Sequence, residues 1–281
     1  MRAITLRSPL FERKLPRLTD TLKIATWNIN GIKARIDNLL AWLGDSQPDI
    51  VCLQEIKSTD DTFPRSQIED AGYHVETHGQ KGFNGVALLS RERPDEVHRR
   101  LPGDDEDEQS RFIEGVFSRP GGVLRVASLY LPNGNPVDSP KYPYKLAWME
   151  RLRRYVQNRL LFEEPLVLAG DYNVIPQPFD CRDPRQWEGD ALFLPETRAA
   201  FERLKAVGLT DALRATTDAA GLYTFWDYQA GAWQKNNGIR IDHLLLSPEA
   251  ASHLAGCGIE KHVRAWEKPS DHVPVFARLA L

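Results

Sequence analysis

Six places along the chain put a group capable of acid, base or ligand chemistry where an apolar run begins or ends. The densest is Gly170-Asp171-Tyr172-Asn173, which closes the run Leu166-Val-Leu-Ala-Gly170. The run reads as a buried strand, and Gly170 as the point where it turns. Asp171 and Asn173 are two residues apart, so in extended chain they face the same way while Tyr172 turns toward the core. A carboxylate and an amide so placed could hold a cation, a water or a phosphate. Taken alone, they would serve equally well as turn formers. The other boundaries change that balance. Asn28 and Asn30 follow the run 22–27, Glu55 follows 50–53, and Tyr130 lies at the end of 124–131. Asp242 lies near the start of 240–246, and Asp271-His272 precedes 273–277. Carboxylates and amides beside apolar strands are costly unless they share a cation or hydrogen bonds. Oxygen donors without thiolates suit Mg²⁺ or Mn²⁺ better than Zn²⁺. A carboxylate that can take a proton from water, with amide, phenol and imidazole donors around it, fits phosphoester cleavage.

Strands must carry these groups to one place. Residues 22–27 alternate like a strand. A helix follows, with Ile32, Ile36, Leu39, Leu40 and Leu43 on one face and Asn30 as its natural cap. Gln47-Pro48-Asp49 ends it, and 50–53 is a second strand. A short helix is expected over 64–71, with strands over 73–77 and 86–90 joined by the turn-rich segment 79–85. The acidic run Gly103-Asp-Asp-Glu-Asp-Glu108 reads as a solvated loop. Paired strands over 112–118 and 124–131 flank Pro120-Gly-Gly122. A long helix spans 140–160, with Leu146, Met149, Leu152, Val156 and Leu160 inward and Arg151-Leu-Arg-Arg154 on the solvent face. After the irregular loop 174–195 comes a helix from Pro195 to about 207, an aromatic strand over 223–228 and the strands 240–246 and 273–277. His243 reads as a satisfied core residue. Strands outnumber helices and come in runs, which favours two packed sheets with helices outside.

Composition narrows the class. The chain has 281 residues, 42% of them hydrophobic, enough for a large core. The net charge of −3 gives no global basic signature, so a nucleic-acid partner would need a local positive groove. No apolar run is long enough to span a membrane. Cys52, Cys181 and Cys257 are odd in number and far apart, and read as reduced thiols of a cytoplasmic protein. Residues 1–21 are Arg-rich and irregular, lack the apolar core of a secretory signal, and read as a flexible arm before a single domain over 22–281.

Six segments, in order, resemble the motifs of the exonuclease III group of abasic-site endonucleases, within the endonuclease/exonuclease/phosphatase superfamily. They are Ala25-Thr-Trp-Asn-Ile-Asn-Gly31, Leu53-Gln-Glu55-Ile-Lys57, Tyr130-Leu-Pro-Asn-Gly134, Gly170-Asp-Tyr-Asn173, Gly238-Ile-Arg-Ile-Asp242 and Ser270-Asp-His272. The resemblance implies a DNase I-like four-layered α/β sandwich: two mixed sheets flanked by helices. It implies a monomeric, Mg²⁺-dependent DNA repair nuclease, with Mn²⁺ able to substitute. Such an enzyme cleaves double-stranded DNA 5′ to abasic sites and removes nucleotides or blocking groups from 3′ ends.

By the same resemblance, Glu55 would be the main metal ligand, with Asn28 and Asp271 nearby and Asp171, Asn173 and His272 around the ion. Asp171 would activate the water, Asn173 would orient it, and Tyr130 and His272 would contact the phosphate. Asp242 would hold the imidazole in the right tautomer. Phe225, Ile239 and Ile241 would line a pocket for a flipped-out sugar, while Lys57 and Asn133 would touch the DNA backbone. Ile239 departs from the Trp of some relatives. The alternative is a superfamily phosphoesterase acting on a lipid or inositol phosphate. It would share Glu55, Asp171, Asp271 and His272 but lack a steep salt dependence.

Overall fold

A computed structural model describes residues 21–120 and 122–281, so the arm expected over 1–21 lies outside the described residues except for Thr21. Two six-stranded sheets face each other. The first contains β1 (Leu22–Asn28), β2 (Ile50–Gln54), β3 (His74–His78), β4 (Val86–Ser90), β11 (Leu254–Ile259) and β12 (Val275–Leu279), in the order β11-β12-β1-β2-β4-β3. The second contains β5 (Glu96–Arg99), β6 (Phe112–Arg119), β7 (Gly122–Tyr130), β8 (Leu166–Asp171), β9 (Thr210–Asp211) and β10 (Asp242–Leu246), in the order β5-β6-β7-β8-β10-β9. Each sheet holds one parallel pair, β1 with β2 and β7 with β8, and every other pairing is antiparallel.

Parallel neighbours need a crossover. Helix α1 (Ile36–Ser46) supplies the first and α3 (Lys141–Leu160) the second, while α2 (Arg65–Asp70), α4 (Pro195–Lys205) and α5 (Pro248–Ser252) complete the flanks. The alternation of the strands explains the layers. Ile24, Ile50, Cys52, Val167, Ala169 and Leu244 point between the sheets. Ala25, Trp27, Val51 and Leu53 point outward to Leu39 and Trp42 of α1. Leu166, Leu168 and Tyr172 point outward to Trp148, Leu152 and Phe201 of α3 and α4. This is the expected four-layered sandwich. One polar tie crosses its middle. Gln54 accepts from Thr26 at 3.1 Å and donates to Ser128 at 3.0 Å, so both parallel pairs are locked together just below their C-terminal ends.

Several local readings change. Strand β8 continues through Gly170 rather than turning there. A Cβ on Gly170 would lie 2.0 Å from the carbonyl oxygen of Leu129, so the glycine allows close strand approach. The first helix is broken: a 3₁₀ turn, Ile32–Ala34, precedes α1, and Asn30 caps neither. The buried stripe of α3 is Lys145, Trp148, Met149, Leu152, Tyr155 and Val156, rotated from the expected one. Arg151 is not a solvent-face residue. It pairs with Asp104 at 3.1 Å and with Asp107, pinning the acidic loop to α3. The stretch 223–228 is not a strand, but it makes isolated bridges from Phe225 to Ile239 and to His272. Strands β5, β9 and β11 and helix α5 add to the expected set. His243 is buried with both ring nitrogens partnered, as expected: its Nε2 faces the carbonyl oxygen of Val174 and its Nδ1 faces Arg240, and burial holds its pKa down at about 3.

Candidate active site

The two parallel pairs end at the same edge of the sandwich. Asn28 stands opposite Gln54, next to Glu55, and Tyr130 stands opposite Asp171. Strand β10 runs against β8, so it starts at this edge with Asp242 opposite Asp171. Strand β12 runs against β1, and Asp271 and His272 precede it at the same edge. Polar groups beyond the C-terminal ends of parallel strands make the usual ligand crevice of such sheets.

Asn28 is the bridge between the halves. Its amide nitrogen donates to Glu55 Oε1 at 3.0 Å and to Asp171 Oδ2 at 2.9 Å, while its oxygen accepts from the backbone of Asn30 at 3.0 Å. The Tyr130 hydroxyl donates to the same Glu55 oxygen at 2.8 Å. Lys57 reaches the other Glu55 oxygen at 2.8 Å and Asn30 Oδ1 at 2.5 Å, and Asn30 in turn donates to Asp271 at 2.9 Å. Asn30 therefore links Lys57 to Asp271 instead of capping a helix. Asp171 Oδ1 accepts from the backbone of Asn173 at 2.9 Å. The Asn173 amide donates to Leu131 O at 2.9 Å and accepts from Asn133 at 3.0 Å.

His272 lies between two carboxylates. Nδ1 is 2.9 Å from Asp242 Oδ2, and Nε2 is 3.7 Å from Asp171 Oδ2. Its ring meets Phe225 edge to face at 4.9 Å, and Trp27 donates to its carbonyl at 3.1 Å. Four residues of the cluster, Asn30, Glu55, Lys57 and Asn173, have φ of 48°, 48°, 51° and 48°. Such left-handed backbone costs about 1 kcal/mol or more per non-glycine residue and gathers where the surroundings over-determine geometry.

The electrostatics divide the acids. Burial opposes a charge on His272, but Asp242 and then Asp171 overcome it and raise its pKa to about 10. Asp171 is fully buried. Burial pushes its pKa up, the His272 charge pulls it down, and Asp242 pushes it up again. Glu55 behaves oppositely: burial would raise it, but hydrogen bonds from Asn28 and Lys57 leave its pKa lowered. Burial, followed by the charges of Glu55 and Asp171, raises Tyr130 well above the usual phenol range, so it is a hydrogen-bond donor.

Asp171, Asp242 and His272 bring ligand atoms within 4.8 Å of one another and form a group that could hold a metal ion. With His272 protonated, both ring nitrogens are donors, each aimed at a carboxylate. The amide oxygens of Asn28 and Asn173 each accept one hydrogen bond, which leaves each a second lone pair for a cation. Glu55 and Asp271, both part-exposed, offer carboxylate oxygens suited to a hard cation, and the Lys57 ammonium against Glu55 shows that positive charge is accommodated there.

The remaining expected residues spread outward. Phe225 is half-buried against His272, whereas Ile239 and Ile241 are buried beneath it with Ile175, Cys181 and Leu192 and do not form a surface. Asn133 contacts Asn173 and borders a groove of about 860 Å³ that also takes in Phe83, Arg111 and Lys141. On the Gly238 side, a second groove of about 660 Å³ includes Arg182, Arg185 and Lys235.

Two buried cations were not singled out from the sequence. Arg240 pairs with Asp180 at 2.7 Å and with Asp211 at 2.8 Å, fastening the loop 174–195 to the start of β10. Its signal was a charge between two isoleucines. Lys145 lies under the loops of Asn133 and Asn173. Its signal was a lysine three residues before Trp148 on the apolar side of a helix.

The chain matches the family model described as "Endonuclease/Exonuclease/phosphatase family" over residues 25–272. It is 38% identical to exodeoxyribonuclease III of Haemophilus influenzae, over 91% of this chain and 99% of that protein. Among solved structures it resembles a variant of the 3′ phosphatase NExo from Neisseria bound to product DNA hairpin. That match has a TM-score of 0.88 and 38% identity, and covers 92% of this chain and 99% of that one. An AP endonuclease from Archaeoglobus fulgidus matches with a TM-score of 0.86 and 38% identity, covering 92% of this chain and all of that one (100%).

Proposed function

The chain belongs to the endonuclease/exonuclease/phosphatase family, and from that premise we propose that it is a metal-dependent DNA repair nuclease of the exodeoxyribonuclease III and AP endonuclease type. Its substrate is double-stranded DNA, cut 5′ to abasic sites and trimmed of nucleotides or blocking groups at 3′ ends. It acts as a monomer in the cytoplasm, through a single domain over residues 22–281. Among the described residues no helix is long and apolar enough to cross a membrane.

One observation carries the reading: the Asp242-paired imidazole of His272, the buried carboxylate of Asp171 and the Tyr130 phenol meet at one edge, and the groove beside Asn133 carries Arg111 and Lys141. A groove with basic residues beside these groups fits a polyanionic strand better than a small phosphate ester.

Glu55 and Asp271 would hold Mg²⁺, for which Mn²⁺ can substitute, and the ion supplies charge neutralisation at the phosphate. Asp171, ionised beside His272, accepts the proton of the attacking water. The Asn173 amide nitrogen, with one hydrogen given to Leu131 O, has the other for that water or for a phosphate oxygen. His272 donates from Nε2, and Asp242 at Nδ1 keeps it protonated. Tyr130 would turn its one phenolic hydrogen from Glu55 to the same developing charge. Phe225 lines the entry for a base-less sugar, and Lys57 and Asn133 take the adjoining backbone.

A labelled abasic duplex incubated with Mg²⁺, with and without EDTA, checks this. The expected product is a strand cut 5′ to the lesion with a 3′-hydroxyl, absent with EDTA. Asp171→Ala should lower kcat by roughly 10²–10⁴-fold, and wild-type rates in that variant would sink the mechanism.

A further inference from the structure

We propose that Lys145 is a positioning residue: from α3 its ammonium ties the loop of Asn133 to the loop of Asn173, and so holds Asn173 in register with the substrate, an inference that rests on the nuclease reading. Lys145 is fully buried. Its Nζ donates to the carbonyl of Asn133 at 2.9 Å and to that of Asn173 at 2.6 Å. These are the residues whose side chains also join, Asn133 Nδ2 to Asn173 Oδ1 at 3.0 Å. Asn173 closes the link by donating to Leu131 O at 2.9 Å. The ammonium therefore completes a closed set of bonds between the exits of β7 and β8, whose last residues are Tyr130 and Asp171.

Gly134 makes room for it. The Lys145 stem passes so close that a Cβ on Gly134 would lie 2.7 Å from Lys145 Cδ, and Gly134 has a φ of +93°. The glycine of Tyr130-Leu-Pro-Asn-Gly134 thus answers to the lysine below it. Lys145 occupies the apolar stripe of α3 with Trp148, Met149 and Leu152, where an aliphatic residue would cost less. Its partners in contact are neutral carbonyls. Burial brings its pKa down to about 7 against the pull of Asp171 and Asp190. Stabilising α3 alone does not call for a buried ammonium, whereas holding Asn173 in its left-handed conformation does call for a donor at that carbonyl.

The test compares Lys145→Met, Lys145→Gln, Asn173→Ala and the double variants on an abasic duplex with Mg²⁺. Lys145→Met should lower kcat by about 10-fold or more while KM stays within about twofold. In the Asn173→Ala background the same change should cost less than about twofold, since both remove one aligned unit. A lysine that merely supports the fold would instead give losses that multiply and that track the melting temperature. Lys145→Gln, which retains N–H donors one bond shorter, should fall between wild type and Lys145→Met, and it carries the test if the methionine variant does not fold. Amide hydrogen exchange without substrate gives an independent readout: residues 133–135 and 173–175 should exchange faster in the variant while β6 and β12 stay as in wild type. A wild-type kcat in Lys145→Met, unchanged exchange in those loops, or multiplying losses would overturn the proposal. A wild-type enzyme inactive on the duplex would overturn the nuclease reading instead and leave the exchange arm to decide on Lys145.

Discussion

The two strand–helix–strand crossovers are laid out alike, yet they deliver opposite chemistry to the shared edge. The unit β1–α1–β2 ends in Asn28 and Glu55, and the unit β7–α3–β8 ends in Tyr130 and Asp171. Glu55 keeps 19% of its side chain exposed, beside Lys57, and its pKa is lowered. The Asp171 side chain is 2% exposed, faces Asp242 as well as His272, and has its pKa raised. Two carboxylates at matching strand ends are thus driven apart, one to stay charged and the other to exchange a proton near neutrality. Such a separation would let one fold divide the proposed acid–base duty from the proposed ligand duty. The supports differ in the same sense. Helix α1 buries Leu39, Trp42 and Leu43 under the first unit, while α3 places Lys145 under the second. A half that holds a cation must exchange water and ion, so it stays open. A half that moves a proton benefits from burial, because a dry carboxylate responds strongly to its neighbours.

The sharpest way to break this contrast is to neutralise each acid in turn. Asp171→Asn should cut kcat by roughly 10²–10⁴-fold at any Mg²⁺ concentration. Glu55→Gln should also be inactive at low Mg²⁺, but part of its loss should be recovered as Mg²⁺ is raised. A given Mg²⁺ concentration should raise the melting temperature of wild type and of Asp171→Asn more than that of Glu55→Gln, because an ion stabilises the native state in proportion to how tightly it binds there. If Glu55→Gln kept the full thermal shift, the two halves would not divide as described.

Next in size is the pH response. Asp171 must be ionised to accept a proton, so kcat/KM should rise through an acid limb near or below the value of about 7 set by burial and Asp242. His272 must be protonated to donate, so activity should fall along an alkaline limb near about 10. Asp242→Asn removes the largest attraction on the imidazolium, so that limb should move down by more than one pH unit, leaving the variant most impaired above neutrality. Stability carries the same sign. A histidine raised from about 6.5 to about 10 on folding stabilises fully below about pH 6.5, and that contribution is lost as pH rises toward 10. Chemical denaturation of Asp242→Asn between pH 6.5 and 10 should show this slope flattened. An alkaline limb that did not move would remove Asp242 from its place behind His272.

Much of this site is readable in the primary structure, because polar residues that terminate apolar runs stand out against the strands that carry them. Asn28, Glu55, Tyr130, Asp171, Asp242 and His272 all announce themselves that way, and strands that outnumber the helices and come in runs imply two packed sheets. What hides follows equally physical rules. Strand β11, Leu254–Ile259, contains Gly256 and Gly258 and has little strand propensity; pairing with β12 imposes its conformation. Residues 223–228 look like a strand, but Phe225 finds its partners one at a time, at Ile239 and His272, and no ladder forms. The isoleucines expected to line a pocket are buried because Phe225 covers them. Lys145 escapes notice because a helical lysine is normally solvated. Arg151 misleads for the same reason, since its partners Asp104 and Asp107 lie in an acidic loop far away in sequence.

The smallest expected effect concerns Lys57, the cation on the open half. It is half-exposed and rests on Glu55 at 2.8 Å and Asn30 at 2.5 Å. A positive charge held by one carboxylate and one amide oxygen, where the proposed ion would sit, would compete with that ion. Binding of the proposed ion would free the ammonium toward the phosphate strand. Lys57→Ala should therefore bind Mg²⁺ slightly more tightly in the absence of DNA, as read by the metal-dependent thermal shift. It should bind abasic duplex more weakly, with a salt slope shallower by about 0.9 log units per log salt, the amount for one phosphate contact. The kcat should change little, because Lys57 touches neither Asp171 nor His272. Weaker Mg²⁺ binding with an unaltered salt slope would instead make Lys57 a support for Glu55 alone. The open half would then be held by its own hydrogen bonds, as the buried half is held by Asn28 and Asp242.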